Sequence, residues 1–473
     1  MRALDKAALI TLGGVVGYAA FQWGGVLRTN QHEYLLALGL LAIVLSLGRS
    51  RDEWAPLPGR VVRWAAVLLP AYVLLQLLPL PVAALRVLSP ERAAVVDALG
   101  RIGAKLSFAS LSVSPPRTFQ YFLLVCGYLL IFTLARELTW RSEDTRWLLI
   151  WPIVAIGALE AGLGLWQYFG GTGEQVRWGT YANHNHYAGF LEMALPFAVM
   201  YPVVMLRRTR SRWRSPLAPS LAACGVWALA GVMFLGIVYS LSRMGFIAAL
   251  FSLFVMGLLA FGARQLGWVT KSRKRRWSAA GMVAALVLAG FIFLPPDKLI
   301  LRFAQLVSAG EDGGRAQLWA ETVPLIKAYP VFGCGLGGYE TAFMRFKDFE
   351  PLVTDDFAHN DYLQLLAELG IVGFATVATL AFSVVRVGLR RAVMSADQEE
   401  RYFAMAGAGS LAAILAHSLA DFNLYIPANA MLLAWIAGMI AGPRFQARRM
   451  SDWEQRGHVN VITVEAVEIG SRG

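Results

Sequence analysis

The sequence predicts an all-α polytopic membrane protein, and three observations carry that expectation. Of 473 residues, 57% are hydrophobic and 16% charged, with a mean hydropathy of +0.52, far outside ordinary soluble composition. Apolar runs of about 17–25 residues, each long enough to cross a bilayer, recur about twelve times. Lipid offers the backbone no hydrogen-bond partner, so each run has to be a helix. Basic residues then collect in alternate connections, as they do when helices cross back and forth.

The predicted spans begin near Ala7, Tyr34, Val61, Thr118, Trp147, Tyr187, Leu217, Met244, Trp277, Asp361, Phe403 and Ala428. With the N-terminus placed inside, about two thirds of the 43 Lys and Arg residues fall in cytoplasmic segments, and both termini come out cytoplasmic. The short outer loops keep only Arg28, Arg177 and Arg243. The net charge of +12 is therefore an orientation signal, with "RRTRSRWR" (207–214) and "KSRKRR" (271–276) as inner-face anchors and no nucleic-acid partner. Arg2 and Lys6 precede an apolar run that continues to Gly25 without a small-residue cleavage site, which reads as a first span rather than a signal peptide. Cys126 and Cys224 lie in predicted spans and Cys334 in an outer loop, so neither a disulfide framework nor a zinc spacing is present.

The chain reads as one membrane domain, residues 1–442, with outer loops at about 80–117 and 295–358 and a polar cytoplasmic tail at 443–473. In the first loop, Ser89 is placed to cap a surface helix whose apolar face is Ala94, Val95, Ala98, Leu99 and Ile102. The second loop is too long for a mere connector. Its stretch "GGRAQLWAETVPLIKAYP" predicts a helix entered through Gly313 and Gly314, with Arg315, Trp319 and Val323 on one face, and "GCGLGGY" follows as a flexible turn.

Placed on this topology, the unusual polar residues gather on the outer side. "NHNHY" (183–187) ends an outer loop, Arg243 occupies a short outer turn, Arg315 and His359 belong to the long loop, and His417 and Asp421 fall at the outer end of the eleventh span. Glu160, Glu192 and Glu368 lie within spans, where a charge has to face the bundle interior, paired with arginine or lining a cavity. Arg243 runs against the positive-inside bias, and a planar guanidinium suits a bidentate grip on phosphate oxygens. Arg315 supplies a second grip, so the pair points to a diphosphate at the interface. His359 stands at the mouth of an apolar helix beside Asn360, with Asp355 and Asp356 upstream and Asp361 as the expected helix cap. An imidazole there is suited to take a proton from a sugar hydroxyl at neutral pH. Asn183, Asn185, His186, Asn360 and Trp319 are further candidates for contacting sugar or phosphate.

The blocks "GTYANHNHYAGFLEMALP", "YSLSRMGF", "GGRAQLWAETVPLIKAYPVFGCGLGGY" and "HNDYLQLLAELGIVGF", between about 179 and 374, resemble in order and texture the bacterial O-antigen ligase and polymerase family. The resemblance implies a GT-C-type glycosyltransferase architecture with a large periplasmic loop in the inner membrane. It also implies a glycan donor on undecaprenyl diphosphate, with Arg243 and Arg315 on the diphosphate and His359 as general base. The expected reaction is inverting transfer to an acceptor such as a lipid A-core-like glycan, without a cofactor. His184, between two asparagines where a small residue or proline is expected, departs from the pattern. With His186 and His359 it raises metal ligation as an alternative to an amide-rich loop, as Asp355 and Asp356 do for Mg²⁺. The same chemistry would serve a polysaccharide polymerase or a protein O-oligosaccharyltransferase. A transporter of an anionic lipid or solute would instead require broken helices with charges at the midplane, which the sequence does not reveal.

Overall fold

A computed structural model describes residues 2–50, 53–171, 178–212, 217–265, 314–348 and 354–442. Its long helices are α1 (Ala3–Phe21), α2 (Arg28–Leu47), α3 (Arg60–Leu77), α6 (Pro115–Arg141), α7 (Trp151–Gly170), α8 (His184–Arg212), α9 (Leu217–Tyr239) and α10 (Arg243–Gln265). After the shorter α11 (Arg315–Ala328) and α12 (Tyr339–Phe343) come α13 (Asp361–Met394), α14 (Gln398–His417) and α15 (Pro427–Ala441). Nine helices among the described residues are long and apolar enough to cross a membrane, and α15 is a shorter apolar helix. The chain is a multi-pass membrane protein. The span predicted near Trp277 and the tail after 442 lie outside the described residues.

α8 forms the centre of the bundle. Within its apolar span 78% of residues are buried, against 28% for α2 and α3, and it packs on α9 and α14. The region 80–109 folds on itself through α4 (Val82–Leu88), α5 (Pro90–Arg101) and a two-stranded antiparallel pair, β1 (Leu80–Pro81) with β2 (Phe108–Ala109). The apolar face expected against the membrane surface is not the face that packs on the protein. Ser89 stands at the N-cap of α5 without a side-chain cap bond, and Arg92, Ala93 and Val96 turn inward, leaving Ala94, Ala98 and Ile102 exposed. The reason is tertiary. The Arg92 guanidinium donates to the carbonyls of Ser110 and Ser112, which fixes the helix rotation against the strand pair.

The glycine-rich turn after Val331 is packed rather than loose. Helix α13 breaks at Gly370 (φ 60°, ψ −173°), and residues 330–335 lie along the break. Cys334 and Gly335 N–H donate to the carbonyls of Ala367 and Glu368 at 2.9 and 3.0 Å, while Ile371 N–H reaches back to Pro330 O at 2.9 Å. From α3, Tyr72 Oη donates to Leu369 O and Gln76 Nε2 to Glu368 O. Carbonyls freed by the break are thus all claimed, as a buried backbone demands. The expectation that no span is broken is corrected by this geometry.

Gly370→Ala adds a Cβ at positive φ and drives it into the Val331 carbonyl. The expected cost is about 2–4 kcal/mol. It would be read as a lower thermal midpoint of the detergent-solubilised protein, with Gly14→Ala, which meets nothing within 4 Å, as the control.

Candidate active site

His359 lies between two fixed points. Its own backbone is left-handed (φ 47°), a conformation that costs a non-glycine residue about 1–3 kcal/mol and persists only where the surroundings impose it. On one side Ala358 N–H donates to Gln364 Oε1 at 2.6 Å, and Ala358 O accepts from Trp319 Nε1 at 2.9 Å. On the other, Asn360 caps α13, its Oδ1 accepting from Tyr362 and Leu363 N–H while Nδ2 donates to Leu419 O. The cap is therefore Asn360 and not Asp361. Asp361 is fully buried and accepts from Ser418 Oγ at 2.7 Å, tying α13 to the connection after α14.

That connection carries the residue on which the site converges. Asp421 Oδ1 accepts from Phe422 N–H at 2.8 Å and lies 3.4 Å from His186 Nε2 and 3.5 Å from His359 Nδ1, and Oδ2 lies 3.8 Å from an Arg315 nitrogen. The imidazole distances exceed a well-formed hydrogen bond of about 2.7–3.2 Å, so the carboxylate sits between two rings without being saturated by either. Both imidazoles also meet the Phe422 ring edge-on, at 4.6 and 4.7 Å, and Phe357 stacks on Phe422 at 4.2 Å. The Asp421 side chain is 0% exposed, whereas His359 keeps 32% and Arg315 25% of theirs. A closed carboxylate thus supports a histidine and an arginine that reach an open surface. Burial pushes the Asp421 carboxyl up, but His186 and His359 beside it prevail and hold it well below the usual carboxylate range. It stays ionised at neutral pH.

Arg315 and Trp319 do share a face of α11 and turn it toward the His359 segment, while Val323 stays exposed. Asn183 and Asn185 serve the helix starts. Asn183 Oδ1 accepts from Asn185 N–H, and Asn185 Oδ1 accepts from Ser242 Oγ at 2.7 Å, which in turn accepts from Gly245 N–H. This chain of bonds places half-buried Arg243, the residue after Ser242, beside the start of α8.

The membrane-embedded acids, for which pairing with arginine or lining a cavity were both open, are hydrogen-bonded to other groups. Glu368 accepts from Gly337 and Tyr339 N–H, Tyr425 Oη and Gln364 Nε2; Glu160 accepts from Thr180; Glu192 meets His417 Nδ1 at 3.0 Å. Each bridges elements of the bundle. Asp355 pairs with buried Lys347 at 2.5 Å, and His184 lies against Trp178. Among the described residues no group of three His, Cys, Asp or Glu side chains is arranged to hold a metal ion.

Residues 228–378, from α9 into α13, match the model of the O-antigen ligase family. Over that third of the chain the protein is similar to the O-antigen ligase family. No match to a curated protein was found. The ligase segment contains Arg243, Arg315, Trp319, His359 and Asn360, but the site also draws His186 from α8 and Asp421 from beyond α14. Asp421 is visible in the sequence as an acid at the end of a span, and nothing local reveals that three distant segments close around it.

Proposed function

We propose that the protein is a membrane glycosyltransferase of GT-C type that transfers a glycan, with inversion, from an undecaprenyl-diphosphate donor to an acceptor hydroxyl at the periplasmic face of the inner membrane. The observation that carries this reading is the meeting of His359 and Arg315 on buried Asp421, an acid–base group and an anion-binding group held at one helix mouth. On this reading both termini are cytoplasmic, residues 1–442 are the membrane domain, and the ends where α8, α10 and α13 begin face the periplasm.

In the proposed reaction His359 accepts the proton of the acceptor hydroxyl as its oxygen attacks the anomeric carbon. The bond from that carbon to the diphosphate oxygen breaks, and the electron pair leaves with the lipid diphosphate. Asp421 stabilises the imidazolium that forms and keeps the ring oriented. A guanidinium carries five N–H donors, and the Arg315 nitrogen nearest to Asp421 stays 3.8 Å from it. The rest of the Arg315 group, together with Arg243, would take up the charge developing on the diphosphate, so protein charge alone can stabilise the leaving group. Asn183, Asn185, His186, Asn360 and Trp319 act mainly by holding these groups in place. An O-antigen ligase acceptor, a lipid A-core-like glycan, is favoured because Arg243, Arg315 and His359 lie within the segment that matches the O-antigen ligase model.

The test is reconstitution of the purified chain in liposomes with a lipid-linked glycan and a lipid A-core acceptor. Glycan should move to the acceptor with release of undecaprenyl diphosphate. Arg243→Ala and Arg315→Ala should each slow transfer about 100-fold or more, the scale for removing one charge-stabilising donor. Transport of the intact donor without glycosidic cleavage would reject the proposal.

A further inference from the structure

We infer that the protein holds an anionic diacyl phospholipid in a groove between α3 and the second half of α13, with its headgroup at the end of the bundle opposite His359. The groove encloses about 940 Å³ and runs from Ile371 to Arg391 along α13, faced by the start of α3. At about 1.5 Å per residue that length is roughly 30 Å, so acyl tails from one leaflet, about half of a bilayer core, are accommodated in the part nearest the arginines. Its floor is apolar. Phe374, Ala378 and Phe382 line it on α13, and Phe382 is 69% exposed.

The polar end is all cationic. Arg60 opens α3, and Arg386 and Arg390, one helical turn apart, flank the groove from α13. All three are exposed, and none has an ion pair or hydrogen bond to another described residue. Arg391 beside them is already engaged, donating to the carbonyls of Ile440 and Gly442 and lying 3.7 Å from Glu400. Three unsatisfied guanidinium groups at one end of a membrane-length apolar groove complement a molecule with a phosphate head and hydrocarbon tails. A zwitterionic headgroup would bring its own cation against these arginines. A donor lipid positioned for His359 would carry its diphosphate at the other end of the bundle. Both facts favour a net-anionic lipid from the leaflet opposite the site.

The experiment is native mass spectrometry of the full chain released from nanodiscs containing equal phosphatidylglycerol and phosphatidylethanolamine, with undecaprenyl phosphate as a third probe. Wild type should retain phosphatidylglycerol over phosphatidylethanolamine about tenfold or more, since each arginine near an anionic headgroup contributes a few-fold. The variant Arg60→Gln/Arg386→Gln/Arg390→Gln should lose that preference, and Arg101→Gln/Lys105→Gln, elsewhere on the chain, should keep it. Ala378→Trp, which fills the floor while leaving the arginines, should lose bound lipid of every kind. Equal retention of the two phospholipids by wild type, an unchanged preference in the triple variant, an equal loss in the control, or preferential retention of undecaprenyl phosphate would each overturn the inference. Should the triple variant fail to fold, Arg390→Gln alone decides through a partial loss of preference.

Discussion

His359→Asn is expected to lower glycan transfer by between about 100- and 10,000-fold while leaving the protein folded, the range for removing a general base. Asparagine is the informative replacement because it tolerates the left-handed backbone that His359 adopts, whereas most side chains there would add strain. The flanking bonds from Trp319, Gln364 and Asn360 involve neighbouring residues and survive the change. Donor binding should persist, since the guanidinium groups are intact. Transfer assayed at saturating donor, beside a thermal melt, checks it: a loss in turnover with an unshifted melt is the expected pattern.

Asp421→Asn comes next, with an expected loss on the order of 1,000-fold in turnover, by analogy with an acid that orients and stabilises a catalytic imidazolium. The amide oxygen can still accept from Phe422 N–H, so the turn after α14 is retained. What disappears is the negative charge shared by His186, His359 and Arg315. Asp421→Glu should recover part of the rate. Because the folded carboxyl is held below its ordinary value of 3.8, its ionised form contributes stability above that value. This contribution disappears only as pH falls through the lower folded value. Stability should therefore be indifferent to protonation of this carboxyl itself across the neutral range, and a fall in the melting midpoint that begins only below about pH 4 and is absent from Asp421→Asn is the expected signature.

Much of the bundle was legible because lipid imposes one solution on an apolar run. The helices that begin near Ala7, Tyr34, Val61, Thr118 and Leu217 are where hydropathy puts them. The break in α13 was not legible: "LAELGIVGF" is apolar on both sides of Gly370, and the break is satisfied by Tyr72, Gln76 and residues 330–335, far away in sequence. In α5 the face opposite the expected apolar one is fixed by Arg92 reaching Ser110 and Ser112, a contact that the local spacing does not reveal. At the site, His359, Arg315 and Trp319 were readable because each breaks the texture around it. Asp421 was readable only as an acid near a span end, and Asn360 as a neighbour of His359, because capping and carboxylate bridging depend on which segments meet. The buried glutamates, for which arginine was one of two expected surroundings, took hydroxyl, amide and imidazole partners. The hydroxyl and amide donors satisfy a buried carboxylate without bringing a second charge into the membrane.

The most direct measurement of the central claim is the surface-glycan profile of a strain lacking the gene and complemented with wild type or His359→Asn, with equal membrane levels verified. Loss of long-chain glycan from the acceptor, together with accumulation of polymerised glycan on undecaprenyl diphosphate, is the predicted result. Single repeat units on that lipid would point to a polymerase instead. Wild-type surface glycan from His359→Asn would contradict the account.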